Sequence, residues 1–290
     1  MKRIYLFLVA LIATACTVSA GNAGARELRI MSYNLRAGTM ATMDSIAAAI
    51  NACRPDFVAL QEVDCNTYRQ NAKSTGNNGI NFINELAQRT GMFGYFGTTI
   101  PLPPTPAVRD SLETVVAAGR DTNALPAMGN YYGIALLSRY PAMELRRIPL
   151  PNPLDAEPRI MLTGTFLTDG NDSIGFACTH LDYTDTTTIT LQANTVADVM
   201  EANGIPSMVA GDFNTEPGSE AYNILRDRGI VLSGSSPTFP SDKPTQRLDH
   251  IFGFPAHSFR LVSTTEGKDT ILSDHIYVLS VVSFDGQPLE

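Results

Sequence analysis

Short apolar runs that end in polar residues recur along the chain and predict β-strands. The run 207–210 is followed by Gly211, Asp212 and Asn214, and Pro217 prevents further strand pairing. Because side chains two positions apart on a strand face the same side, Asp212 and Asn214 should point together from the strand's C-terminal end. These residues are also turn formers, so this stretch alone is equally compatible with a plain turn. Three other strands end in the same way, which favours a functional cleft.

The spacing of apolar positions predicts more strands than helices. Strands are expected at residues 28–35, 57–60, 92–100, 132–138, 159–167, 173–181, 207–210, 247–252, 259–263 and 276–282. Helices are expected at residues 43–53, 80–89, 187–202 and 219–227. Many neighbouring strands have hairpin spacing, and the chain has no internal repeat. The pattern therefore predicts an α/β fold, a four-layer sandwich of two packed mixed β-sheets flanked by helices.

Residues 101–130 break this regularity. Pro103, Pro104 and Pro106 cluster there and prevent a long regular element. A loop of this length in a folded domain is usually either functional or disordered. Because it precedes a predicted cleft strand, a substrate-facing loop with Tyr131 and Tyr132 as its floor is favoured over a floppy insertion.

The first 20 residues have the pattern of a secretory signal peptide. Lys2 and Arg3 precede an apolar stretch at residues 4–15 that is too short to span a bilayer. Small residues before Ala20 predict cleavage there, while lipid anchoring through Cys16 is the less favoured alternative. No later segment resembles a transmembrane span. We therefore expect an exported, monomeric protein, periplasmic or extracellular, with its domain at residues 27–285.

The charge balance disfavours nucleic acid as a partner without excluding it. The formal net charge is −8, and loss of Lys2 and Arg3 with the signal peptide would make it −10. Apart from the pair Arg146-Arg147, the chain has no cluster of basic residues that could follow a phosphate backbone. The remaining cysteines, at positions 53, 65 and 178, are odd in number and lack metal-site spacing, so they are interpreted as packing residues.

The polar residues at predicted strand ends offer mainly oxygen atoms as potential metal ligands, with few nitrogen atoms and no sulfur. They are Asn34, Glu62, His180 with Asp182, Asp212 with Asn214, Asp249 with His250, and Asp274 with His275. Oxygen ligands suit Mg²⁺, with Mn²⁺ or Ca²⁺ as alternatives, and do not suit zinc. Asn34 could instead be a turn residue and Glu62 could pair with Arg36, but metal ligation is favoured for both. His250 should face the opposite side from Asp249 and is interpreted as structural.

Six short motifs together resemble the endonuclease/exonuclease/phosphatase superfamily. They are Ser32-Tyr33-Asn34, Leu60-Gln61-Glu62-Val63, Gly133-Ile134-Ala135-Leu136-Leu137-Ser138-Arg139, Thr179-His180-Leu181-Asp182, Gly211-Asp212-Phe213-Asn214 and Ser273-Asp274-His275. They occur in family order and span residues 27–285. The superfamily includes deoxyribonuclease I, abasic endonucleases, bacterial sphingomyelinases and inositol polyphosphate 5-phosphatases, so the resemblance implies a deoxyribonuclease I-like sandwich and a metal-dependent phosphoesterase.

The resemblance also implies a metal site. Glu62 would be the main ligand, with Asn34 beside it and Asp274 near a metal on the other side. Arg36 stands where the abasic endonucleases carry an acid. This departure weakens the case for a second metal there and leaves a cation for an anionic substrate.

The same resemblance assigns the reacting groups. Asp212 would orient or deprotonate the attacking water, and Asn214 would hold the phosphoryl oxygens. His180 would donate a hydrogen bond to the scissile phosphate, and His275 would be paired with Asp249. A carboxylate on one imidazole nitrogen fixes the tautomer and raises the basicity of the ring. Whether Asp212 or His275 accepts the proton stays open.

Two further residues are candidates for substrate binding. Arg159 could supply a second cation, although a surface ion pair with Glu157 is equally compatible with the sequence. Tyr132 would line the cleft at the start of its strand.

These observations predict a divalent-metal-dependent hydrolase that cleaves a phosphodiester or phosphomonoester by in-line attack of water. A small-molecule or lipid-head-group substrate is expected. The alternatives are a secreted endonuclease or exonuclease, and a non-catalytic binding module on the same fold. The intact set of polar residues argues against the binding module.

Overall fold

The computed structural model describes residues 26–67, 81–102, 130–268 and 271–284. The predicted signal peptide, Cys16 and most of the Pro-rich loop lie outside these residues. Within them, no helix combines the length and hydrophobicity that crossing a membrane requires.

Two six-stranded sheets form the centre of the described structure. In spatial order, the first sheet contains β11 (Phe259–Glu266), β12 (Val278–Phe284), β1 (Arg26–Asn34), β2 (Phe57–Cys65), β4 (Tyr131–Ser138) and β3 (Phe93–Pro101). The second contains β5 (Ala142–Pro149), β6 (Ile160–Leu167), β7 (Ser173–His180), β8 (Ser207–Asp212), β10 (Asp249–Phe254) and β9 (Ile230–Val231). The pairs β1–β2 and β7–β8 are parallel and their other neighbours antiparallel, so both sheets are mixed, as predicted.

Helices cover the outer face of each sheet and complete four layers. The helices α1 (Met43–Cys53) and α2 (Phe82–Thr90) pack on the first sheet. The helices α3 (Thr186–Glu201) and α4 (Glu220–Arg228) pack on the second. Each begins at a polar side chain that accepts a hydrogen bond from a first-turn N–H; these caps are Thr42, Asn81, Asp185 and Ser219. The predicted four-layer sandwich is confirmed.

The apolar core between the sheets is organised around Phe57. Its ring centroid lies 5.1 Å from that of Phe166 and 5.0 Å from that of Phe176, both on the second sheet. Cys178 belongs to the same core, and Cys53, Cys65 and Cys178 are all buried and unpaired, which confirms the packing interpretation.

Replacing Phe57 by Ala is expected to lower the free energy of unfolding by about 3 to 5 kcal/mol, because it leaves a cavity between the sheets. Chemical denaturation would measure the loss. Phe93→Ala is the matched control: Phe93 is 48% exposed on β3, so its truncation should cost much less. Equal losses in the two variants would contradict this description of the core.

The sequence missed two strands. The strand β5 carries Glu144, Arg146 and Arg147, and most of its side chains are exposed because it forms an edge of the second sheet. It therefore lacks the apolar signal that identifies a buried strand. The strand β9 has only two residues, Ile230 and Val231. Most other predicted elements match the observed ones to within two residues at either end, and β2 continues past residue 60 to Cys65.

Candidate active site

Three neighbouring strands of the second sheet bring His180, Asp212 and Asp249 side by side. His180 is paired with Asp212 across β7 and β8, and Asp212 with Asp249 across β8 and β10. Residues two positions earlier or later on these strands, such as Cys178 and Ala210, lie in the core between the sheets. By strand alternation, the three polar side chains therefore face the mouth of the inter-sheet space. A cleft of about 540 Å³ opens there.

Glu62 reaches this cleft from the first sheet by way of a β-bulge. The register between β2 and β4 shifts between Leu60 and Val63, and Glu62 has a φ of 51°. A non-glycine residue in this left-handed region is strained, and such strain is commonly found at functional sites. The bulge turns the carboxylate out of the ladder and into the cleft, where it lines the wall.

Asn34, fully buried at the end of β1, links the two sheets. Its side-chain oxygen accepts a hydrogen bond from the backbone N–H of Arg36 at 3.0 Å, which fixes the orientation of the amide. Its Nδ2 therefore donates to Glu62 Oε1 at 3.1 Å and to Asp212 Oδ2 at 3.0 Å. The amide holds the carboxylates of both sheets in place. Its oxygen is engaged with the backbone N–H of Arg36.

Asp212 lies at the centre of the site. Its Oδ1 accepts the backbone N–H of Asn214 at 3.0 Å, and its Oδ2 lies 3.6 Å from Nε2 of both His180 and His275. Burial raises the pKa of Asp212 to about 6, with the charge of Asp249 adding to the rise and that of His275 opposing it. A carboxylate held in this way is oriented by several donors and faces two imidazole rings.

His275 and Asp249 form the predicted pair. Nδ1 of His275 lies 3.0 Å from Asp249 Oδ2, and Asp249 is completely buried. Burial would lower the pKa of His275, but the charges of Asp249 and Asp212 outweigh it and raise the pKa to about 10. The ring of Phe239 covers the imidazole at a centroid distance of 4.7 Å. The second ring nitrogen is thereby directed at Asp212.

Arg159 fixes the tautomer of His180. Its NH1 lies 3.0 Å from Nδ1 of His180, and a guanidinium can only donate, so Nδ1 must be the acceptor. The neutral ring then carries its proton on Nε2, the nitrogen that faces Asp212. Burial and the nearby positive charge of Arg159 hold the pKa of His180 well below its usual value. His180 is therefore a neutral N–H donor that points into the cleft.

Arg159 combines features of both sequence expectations, because it lines the cleft and pairs with Glu157. It does pair with Glu157, at 3.1 Å, but it is only 4% exposed, so the pair is not a surface ion pair. Its guanidinium also lies 5.9 Å from the centre of the Tyr183 ring. Arg159 lines the cleft; its NH1 contacts both His180 and Glu157, whereas its buried Nε has no hydrogen-bond partner among the described residues.

Arg36, predicted as a cation for the substrate, makes an ion pair in the described structure. Its Nε lies 3.4 Å from Asp274 Oδ2, and its side chain is 53% exposed beside the cleft. This ion pair brings Arg36 next to a predicted metal ligand. Arg36 does not pair with Glu62 in the described structure.

Asn214 and Tyr132 both line the cleft. Asn214 has a φ of 47°, and its Nδ2 donates to the backbone oxygen of Leu181 at 3.0 Å. An amide nitrogen carries two hydrogens, so one remains for a ligand. Tyr132 is 6% exposed, and burial raises the pKa of its hydroxyl.

Glu62 and Asp274 provide a donor set that fits a hard divalent cation. Burial raises the pKa of Glu62, and the negative charge of Asp274 adds to the rise. Asn34 supplies the one hydrogen bond that the Glu62 carboxylate accepts from the described residues. Two carboxylates that line one open cleft suit a cation that retains several waters.

A second set of potential ligand atoms belongs to Asp212, Asp249 and His275, all buried and within 4.8 Å of one another. A metal ion at that position would have to displace the hydrogen bond between His275 and Asp249. The geometry of these three residues is that of a hydrogen-bonded array, and the cleft carboxylates are the better match for a hydrated ion.

Sequence reasoning missed several residues that line the cleft. They are Tyr183, Phe239, Gln246 and Leu248. Tyr183 is 68% exposed and follows the His180 motif by three residues, which is the one local signal that could have identified it. Phe239 and Gln246 belong to a loop between β9 and β10 whose position depends on long-range contacts, including a hydrogen bond from the backbone N–H of Ser241 to Asp274 O at 2.7 Å. His250, as expected, faces the helices, where it contacts Tyr222.

The sequence matches a known protein family. The model of the Endonuclease/Exonuclease/phosphatase family matches residues 31–275. No curated protein sequence matches the chain significantly.

Solved structures share the fold at low sequence identity. An endonuclease/exonuclease/phosphatase from Beutenbergia cavernae is 23% identical, with a TM-score of 0.67 over 91% of this chain and 73% of that one. The mannosyl-6-phosphatase Bt3783 of Bacteroides thetaiotaomicron is 18% identical, with a TM-score of 0.61 over 89% of this chain and all of that one. The human Nocturnin catalytic domain, with bound sulfate, is 19% identical, with a TM-score of 0.61 over 89% and 95% of the two chains.

Proposed function

Because the chain belongs to the endonuclease/exonuclease/phosphatase family, we propose that it is a divalent-metal-dependent hydrolase that cleaves a phosphodiester or phosphomonoester by in-line attack of water. The observation that carries this proposal is the convergence of both sheets on one cleft. There, the Asp212 carboxylate lies between two imidazoles and is joined through Asn34 to the Glu62 carboxylate. A binding module would not need this arrangement of proton-transfer groups.

Different residues of the cleft have different roles in the proposed reaction. Asp212 orients the attacking water and takes up its proton, while the protonated His275 ring, held in place by Asp249, faces the Asp212 carboxylate and stabilises its negative charge. His180 donates its Nε2–H to a phosphoryl oxygen, because Arg159 keeps Nδ1 as an acceptor. The free hydrogen of the Asn214 amide supports the same group.

Glu62 and Asp274 are the residues that would hold the cation, Mg²⁺ being the first choice and Mn²⁺ or Ca²⁺ the alternatives. When bound, the cation neutralises phosphoryl charge and stabilises the leaving oxygen. Asn34, the third predicted ligand, positions Glu62 and Asp212 through its Nδ2, and its oxygen keeps one lone pair for the ion beside the backbone hydrogen bond that it accepts.

A small phosphoester is the substrate class that the charges support. Of the basic side chains proposed near the cleft, Arg36 and Arg159 are each engaged with an acidic residue, so they do not form a track for a polyanion. The formal net charge of −8 acts in the same direction. One protein of the same fold is named a mannosyl-6-phosphatase, which is in keeping with a small substrate.

The test is a comparison of kcat/KM on a sugar phosphate, a phospholipid head-group diester and duplex DNA, under one salt and metal condition. A small ester should be the best substrate. A clear preference for DNA, with binding that weakens steeply as salt rises, would support a nuclease instead. Absence of hydrolysis on all three, with binding retained, would support the non-catalytic module.

A further inference from the structure

A second cavity lies beside the proposed catalytic cleft, between the N-terminal ends of α3 and α4. It encloses about 420 Å³, which is within the range of roughly 300 to 1,000 Å³ typical of small-molecule sites. The two helices contribute Thr186, Ile189 and Thr190, and Ser219, Glu220 and Ala221. None of the catalytic or metal-binding assignments above uses these side chains.

The cavity adjoins the catalytic cleft. Asn214, Gln246 and Leu248 line both. A substrate whose phosphoryl group lies at Asp212 can therefore extend its other part past Asn214 and into the cavity.

The charged side chains of the cavity disfavour a second phosphate. Among the described residues that line it, none is Lys, Arg or His. Glu216 and Glu220 are both exposed at its edge. An anionic group would meet two carboxylates without a basic side chain, and the two helix N-termini supply only partial positive charge, which makes a nucleic-acid strand or a polyphosphate an unfavourable occupant.

The polar side chains of the cavity match hydroxyl groups. The carboxylates of Glu216 and Glu220 accept hydrogen bonds, the Gln246 amide both donates and accepts, and the Thr190 hydroxyl does the same. Buried Ile189 and the largely buried Leu248 offer apolar contacts for C–H groups. This combination suits a ring or chain that carries hydroxyls on one side and C–H groups on the other.

We propose that this cavity is a subsite for an uncharged polyhydroxyl group, a sugar or polyol, that is esterified to the phosphate. The proposal rests on the hydrolytic function proposed above and names its substrate class. Binding energy from the hydroxyl contacts would direct such esters into the catalytic cleft in preference to simple alkyl esters.

The test compares a hexose 6-phosphate with hexyl phosphate and phosphocholine in the metal-loaded protein. The hexose ester should have the highest kcat/KM, by about tenfold or more over the hexyl ester, because a site built for hydroxyls disfavours an analogue without them. Thr190→Phe places a large ring in the cavity and should remove this preference, mainly through a higher KM for the hexose ester. A preference for phosphocholine would overturn the proposal, since it would indicate a subsite for a cation.

Thr195→Phe is the matched control, because Thr195 lies on the same helix but does not line the cavity. It should retain the preference for the hexose ester. Loss of the preference in both variants would indicate a general effect on α3 and would overturn the assignment of the cavity.

The failure of this proposal can be separated from the failure of the hydrolytic function. Equal kcat/KM on the hexose and hexyl esters leaves the function standing and removes the subsite. If neither ester is hydrolysed, calorimetric binding of the two decides the question of the cavity. The subsite is supported if the protein binds the hexose ester more tightly than the hexyl ester and Thr190→Phe abolishes this difference. Equal affinity for the two esters would overturn it.

Discussion

Removal of divalent cations by a chelator is expected to abolish phosphoester hydrolysis, and Mg²⁺ or Mn²⁺ should restore it. The reason is the donor set of the cleft, in which Glu62 and Asp274 offer carboxylate oxygens to a hard cation. Phosphate release would be followed before chelation, after chelation and after addition of each metal. Full activity in excess chelator would contradict the metal assignment.

Glu62→Gln should weaken metal binding by at least about tenfold, since it removes the charge of the main ligand while preserving its size. Calorimetric titration with Mg²⁺ or Mn²⁺ measures this directly, and thermal unfolding checks that the fold is retained. Glu144→Gln makes the same chemical change at an exposed position on β5 and should leave the affinity unaltered. If the two variants bind metal equally well, Glu62 is not a ligand.

Asp212→Asn is expected to lower kcat by roughly a hundredfold or more, the usual effect of removing a general acid–base group. Asn cannot take up a proton from water. In addition, the NH₂ group of the new amide would face a hydrogen-bond donor, either Asn34 Nδ2 or the Asn214 N–H, that now binds a carboxylate oxygen of Asp212. His275→Ala should cause a loss of similar size, because the imidazole lies 3.6 Å from the same carboxylate.

The measurement for these variants is kcat at saturating substrate and metal, together with the unfolding temperature. Asp227→Asn is the control, since Asp227 lies exposed on α4 and pairs with Arg226 at 2.7 Å. Near-normal kcat in Asp212→Asn would show that the catalytic centre lies elsewhere.

The sequence predicted those helices and strands that are marked by nearby residues, such as helix-ending residues or an apolar run. The bounds of α1 were predicted without error because apolar residues at helical spacing begin at Met43 and Arg54-Pro55 ends the helix. The strands that end at Asn34, His180 and Asp212 were found because they are largely buried and contain short apolar runs. An exposed edge strand such as β5 carries no comparable signal.

The sequence predicted which residues form the site better than it predicted the contacts that these residues make. The motif order indicated which residues would lie in one cleft, and Glu62, His180, Asp212 and His275 do line it. The pairing of Arg159 with His180 joins the residue before β6 to the last residue of the adjacent β7, and that of Arg36 with Asp274 joins residues far apart in the chain. Such contacts depend on strand register and loop position, which local patterns do not specify.

The left-handed conformation of Glu62 illustrates the same limit. Nothing in the local residue types requires a bulge after Leu60, since Gln, Glu and Val are not typical of a positive φ. The bulge becomes understandable once the cleft is present, because it aims the carboxylate at Asn34 and away from the ladder.

The most direct test of the account is hydrolysis of a small phosphoester in ¹⁸O-labelled water, with mass spectrometry of both products. Attack of water on phosphorus, assisted by Asp212 and His275, predicts one ¹⁸O atom in the phosphoryl product and none in the released alcohol. Label in the alcohol, or no phosphoryl product from any small phosphoester in the metal-loaded protein, would contradict it.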